Sequence, residues 1–97
     1  MSTSDAQQRP TDPALVVVTG VRVLSRYVLE LRFDTGEVKV IDTEPMLWGP
    51  AFEALLADYS MFRRVHVDPD TGTIAWPNGA DLAPDELYLR SKAAVPA

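Results

Sequence analysis

The sequence predicts an α+β domain: an antiparallel meander of three strands, one helix, a second hairpin and a short C-terminal helix. Three observations predict it. Runs rich in β-branched residues and alternating in polarity fill the first half, a single helical apolar period follows Trp48, and turn-forming clusters separate these segments. No strand–helix–strand crossover units recur, so helices covering an antiparallel sheet fit the order of elements better than a parallel sheet does. With 97 residues, of which 46% are hydrophobic and 24% charged, the chain has the arithmetic of one domain. A chain this short buries only about 60 to 65% of the surface its unfolded form exposes, which leaves little room for an enclosed cofactor.

Residues 1–14 are polar, with Pro10 and Pro13 and no apolar period, and the sequence reads them as a disordered tail. The run from Leu15 to Leu24 is the first strand, with Gly20 marking a bulge. Tyr27 to Phe33 is the second, and it places Tyr27, Leu29, Leu31 and Phe33 on one face and Glu30 and Arg32 on the other. Ser25-Arg26 joins them, although neither residue is the Gly or Asn that a tight primed turn prefers. Asp34-Thr35-Gly36 offers a left-handed glycine for the next loop, and Glu37 to Ile41 completes the meander.

Pro45 and Gly49 then break regular pairing, and Pro50 suits the first helical turn because its missing N–H has no intrahelical partner there. The helix runs to about Ala57. Trp48, Phe52, Leu55, Leu56 and Tyr59 fall at helical spacing, which reads as a stripe packed toward the core. Phe62 to Asp68 returns to strand, the cluster Asp68 to Gly72 turns, and Thr73 to Trp76 pairs back. Asp81 is a candidate cap for a closing helix with Pro84 in its first turn, acids at its start and Arg90 at its end. The domain thus spans 15–91, with 92–97 as a frayed end.

Charge and composition narrow the function classes. Nine Lys and Arg against fourteen Asp and Glu give a net charge of −5, with acids concentrated late in the chain at Asp68, Asp70, Asp81, Asp85 and Glu86. Phosphate backbones are repelled by such a chain, and Arg63-Arg64 is its one adjacent basic pair, so direct nucleic-acid binding is not expected. An acidic surface instead favours encounter with a basic protein. No Cys is present, which removes disulfides, thiolate nucleophiles and cysteine-held zinc. The longest apolar stretch, Ala14 to Val18, is far below a membrane span, and the N-terminus lacks the pattern of a signal peptide, so the expected location is the cytoplasm.

A search for chemistry returns negatives with physical reasons. His66 is the one histidine, so there is no second imidazole for a metal pair or relay, although Arg64 and Asp68 share its face in an alternating strand. None of the serines stands in the setting of a nucleophile elbow. Asp68-x-Asp70-x-Gly72 resembles the opening of a calcium loop, but the twelfth position is Gly79 where a bidentate Glu is needed. The remaining glycines are singletons suited to turns rather than a phosphate cradle. No catalytic residue, metal or cofactor is predicted, and the sequence reads as non-enzymatic.

The densest local instruction is Trp76-Pro77-Asn78-Gly79-Ala80-Asp81, followed by Leu82 to Tyr88. It joins a strand-ending Trp, a Pro that stops the ladder and an Asn-Gly turn. Structure alone accounts for this pattern. A recognition role is the alternative, with Trp76, Pro77 and Tyr88 presenting rigid area and Asn78 and Asp81 as orienting groups, in the composition that interface hot spots favour.

The segments LRFDTGEVKVID, FEALLADYSMFRRVHVD and GTIAWPNGADLAPDELY together resemble the short bacterial proteins of domain-of-unknown-function family 2442, over roughly Val21 to Tyr88. The resemblance implies a small α+β fold and, often, a gene beside another small protein of toxin-like or uncharacterised type. It carries over no catalytic residue. The chain departs from the family in its longer polar N-terminus, and the DNA-binding helical domain fused to some relatives is not expected within its 97 residues.

The function expected from all this is a non-enzymatic protein-interaction module, an antitoxin-like or accessory partner of a small basic protein. The alternative is a small-ligand or cation sensor between the Trp76 turn and the C-terminal helix, with Asp81 and Asp85 as oxygen ligands. An enzyme using His66 with a carboxylate stands third. Self-association is open between monomer and homodimer, since a meander leaves strand edges that a twin could pair.

Overall fold

The computed structural model describes residues 15–94. Three strands form the expected meander: β1 (Val18–Ser25), β2 (Val28–Phe33) and β3 (Val38–Asp42). Both pairings are antiparallel, with Leu29 opposite Val23 on one side and Ile41 on the other. The alternation read from the sequence is realised, because Leu29, Leu31 and Phe33 are buried while Arg32 faces water. A register shift between Val18 and Gly20 is the bulge at Gly20. The Ser25-Arg26 turn is made without glycine, so Arg26 takes a positive φ of 47°. Gly36, at φ 92°, supplies the left-handed position of the next loop.

After β3 a short 3₁₀ turn (Glu44–Met46) leads to α1 (Pro50–Ala57) and α2 (Tyr59–Phe62). A second antiparallel sheet follows, of β4 (His66–Asp68), β5 (Thr73–Ala75) and β6 (Asp81–Leu82). Helix α3 (Pro84–Arg90) and the short β7 (Lys92–Ala93) close the described chain, and β7 pairs with β3 to make the first sheet four-stranded, in the order β1-β2-β3-β7. One core unites these parts. Leu29, Leu31, Phe33 and Ile41 of the first sheet meet Ile74 of the second and Trp76 just beyond β5, with Leu55, Phe62 and Leu87 contributed by the three helices.

Four readings from the sequence need correction. Trp48 does not pack toward the core: it is 78% exposed, because Gly49, at φ 99°, is the residue that flanks α1, and Trp48 lies outside the helical phase that relates Phe52 to Leu55. Leu56 and Tyr59 are also more exposed than a core stripe requires. The strand expected from Phe62 begins only at His66, since Asp58 accepts hydrogen bonds from the Ser60 N–H and hydroxyl and starts a new helical turn that carries Phe62 into the core. Asp81 is not the cap of α3. Pro84 occupies its first turn and Ala83, the flanking residue, is extended, which leaves Asp81 in β6. Finally, Lys92 and Ala93 belong to the sheet, where the sequence reading ends the domain at 91. The tail assigned to 1–14 and residues 95–97 lie outside the described residues.

Candidate functional site

The segment Trp76–Ala80, singled out for recognition, is a closed structural turn. The Trp76 N–H donates to the Ala80 carbonyl and the Gly79 N–H to the Trp76 carbonyl, both at 2.9 Å. The Trp76 ring is 2% exposed, lies against Phe52 and Phe62, and donates its indole N–H to the Phe62 carbonyl at 2.9 Å. Asn78 is exposed, and both ends of its amide are engaged within the chain, donating to the Ala51 carbonyl at 2.9 Å and accepting from the Ala80 N–H at 3.1 Å. Pro77 and Asp81 are exposed, and Asp81 pairs with Ala75 through β6.

Tyr88 stands apart from that turn. Its hydroxyl donates to Glu37 at 2.7 Å, its carbonyl accepts from Lys39 Nζ at 2.7 Å, and the same ammonium lies 3.9 Å from the centre of its ring. These contacts fasten α3 to β3 of the first sheet and to the loop that precedes it. The Tyr88 hydroxyl, the Thr35 hydroxyl and the Lys39 charge hold the Glu37 carboxyl below the ordinary glutamate value. Of the five residues proposed from the sequence, Trp76 is buried, Tyr88 is half-buried and Pro77, Asn78 and Asp81 are exposed, and the contacts of Trp76, Asn78 and Tyr88 hold elements of the fold together.

His66 is exposed, and its Nδ1 lies 3.2 Å from the Arg64 carbonyl. Asp85 turns its carboxylate to the N–H of Glu86 at 2.9 Å. Among the described residues no three of His, Cys, Asp and Glu come together in a way that could hold a metal ion.

The surface with the composition of a contact site lies elsewhere, beside Trp48. Thr43, fully buried, donates its hydroxyl to the Tyr27 carbonyl at 2.7 Å, and its N–H goes to the same oxygen at 2.9 Å. Asp42 accepts the Glu44 N–H at 3.0 Å, and Leu47 is buried. With Thr43 and Leu47 pinned inward, the intervening 3₁₀ turn is fixed and Trp48 is left facing water. The indole overlooks a hollow of about 370 Å³ walled by Pro45, Met46, Phe52, Leu82, Glu86 and Arg90. An adjoining hollow of about 450 Å³ shares Pro45, Met46 and Arg90, and continues past Val40, Ile41 and Asp42 to Lys92. Together they make a groove between the 3₁₀ turn and α3. Glu86 and Arg90, one turn apart on α3, form an ion pair at 2.7 Å on its wall.

Sequence reasoning missed this groove for a definable reason. The signal was present, as a Trp followed by Gly-Pro at a helix start, and it was absorbed into the helical period. A tryptophan that precedes the flanking glycine is outside the helix, and its phase carries no information about the core.

Comparison with known proteins adds the family. The family model for proteins of unknown function designated DUF2442 matches residues 18–93. Among solved structures, the chain is similar to a crystal structure of a protein from Nitrosomonas europaea named as a putative DNA-binding protein, with a TM-score of 0.69 and 29% identity. That match covers 80% of this chain and 50% of the other, so the chain spans half the length of the protein it resembles. No curated protein matches it. Strands β1 to β7 and all three helices lie within the matched span, and the chain belongs to the DUF2442 family.

Proposed function

We propose that this chain is a non-enzymatic protein-interaction module whose contact face is the groove beside Trp48. One observation carries the reading: an indole 78% exposed on a turn that buried Thr43 and Leu47 hold in place. Tryptophan has about 150–250 Å² to bury, so its exposure forgoes stabilisation that a partner would restore. Indole rings are also among the side chains that dominate binding energy at interfaces. The net charge of −5 favours encounter with a basic protein, which fits an antitoxin-like or accessory role. The name of the Nitrosomonas protein raises DNA contact as a further role. It is not adopted for this chain, whose exposed Arg63-Arg64 pair sits in an acidic sequence, and half of the other protein lies outside the match.

The test is site-specific photocrosslinking in the native cell, with benzoylphenylalanine placed at position 48 in the full chain and at exposed Thr71 as the control. A protein product formed from position 48 and absent from position 71 is the expected result. No protein product from position 48 at native abundance overturns the reading, as does a mobility shift of mixed-sequence duplex at physiological salt.

A further inference from the structure

The groove differs electrostatically from the molecule that carries it. Its charged walls are Asp42, Glu86, Arg90 and Lys92, two acids against two bases, so the groove is neutral and the net charge of −5 lies entirely outside it. A face built for a basic protein would concentrate the acids, and one built for an acidic protein would concentrate the bases. A neutral face carrying both signs beside exposed apolar side chains is what an isologous contact needs, because a two-fold axis brings the same patch against itself. Each copy then offers Asp42 to the other's Lys92, while Glu86 and Arg90, paired within α3, can exchange partners across the axis.

We infer that the occupant of the groove is a second copy of this chain, in a two-fold dimer with Trp48 of each copy in the seam. This rests on the reading of the Trp48 face as a protein contact, and it names the partner. The acidic remainder of each copy stays outside the seam, where a basic protein can still meet it. Unlike charges in a seam of this kind contribute register and specificity, while the indole supplies most of the affinity.

The experiment is sedimentation velocity on the full chain over a wide concentration range. The 10.7 kDa chain is expected to shift to twice that mass as concentration rises. Trp48→Ser should raise the dimer dissociation constant at least about tenfold, with unchanged circular dichroism because the ring is not part of the core. Two charge-reversed variants, Asp42→Lys/Glu86→Lys and Arg90→Glu/Lys92→Glu, should each be monomeric alone and form a mixed dimer when combined. A chain that stays monomeric at every concentration overturns the inference, and so does a dimer indifferent to Trp48→Ser and to both charge reversals. If the chain is monomeric while position 48 crosslinks to a different protein, the second-copy inference falls and the interaction-module reading stands. If it is monomeric and position 48 crosslinks to nothing, both fall.

Discussion

Two tryptophans that differ in exposure by most of their surface should respond oppositely to truncation. Trp76→Ala removes a buried ring packed on Phe52 and Phe62, and a loss of about 3–5 kcal/mol is expected in urea denaturation. At concentrations low enough to keep the chain monomeric, Trp48→Ser should change stability by less than about 0.5 kcal/mol in the same assay, since its ring then lies in water. Arg26 is a residue held in an unfavourable conformation, at φ 47°, by the shortness of the turn between β1 and β2. Its carbonyl accepts the Tyr59 hydroxyl at 2.6 Å, a contact that does not depend on its side chain, and its guanidinium makes two weak contacts, a 4.0 Å approach to exposed Glu44 and a 5.9 Å approach to the centre of the Tyr27 ring. Arg26→Gly should therefore raise stability by about 0.5–1 kcal/mol, read as a shift of the urea midpoint. At this scale the sequence was informative where a residue's chemistry is local. The left-handed Gly36 and the alternation of Leu29, Leu31 and Phe33 were legible, whereas the fates of Trp48 and Trp76 depended on which long-range neighbours arrived.

The elements are joined by a few contacts whose loss has a definite sign. The hairpin between β4 and β5 docks on the start of β1 through Gly72, whose carbonyl accepts the Val18 N–H at 2.9 Å. A Cβ added there would lie 3.3 Å from Val17, and the backbone holds φ 73°, so Gly72→Ala should cost about 1–2 kcal/mol in thermal or urea unfolding. Helix α3 is tied to the first sheet through Tyr88, Glu37 and Lys39. Because the Glu37 carboxyl is held below its ordinary value in the fold, its contribution is complete above the ordinary glutamate range and is lost as pH falls through the lowered folded-state value. Glu37→Gln should flatten that acid limb in a series of unfolding curves against pH. The meander, the second hairpin and the closing helix were legible because each is specified by period and turn residues within a dozen positions. The break at Asp58 and the pairing of β7 with β3 were not, since one turns on a single side-chain cap and the other on residues more than fifty positions apart.

For the whole molecule, the separation of a neutral groove from an acidic remainder predicts two associations with different salt dependence. Contact through the groove should weaken only modestly in high salt, because its apolar part is not screened although its exposed charge pairs are. Capture of a basic protein by the acidic surface should weaken steeply under the same conditions, which a salt series in sedimentation velocity distinguishes. None of this was legible in composition, where −5 is a single number without a place. The chain's only two tryptophans also make it its own instrument. Trp76, sealed against Phe52 and Phe62, emits from an apolar interior and reports whether the domain is folded, while Trp48 emits from water and is open to a soluble quencher. An unlabelled sample thus carries two optical signals separable by iodide or acrylamide. One follows folding, and the other follows whatever covers the groove.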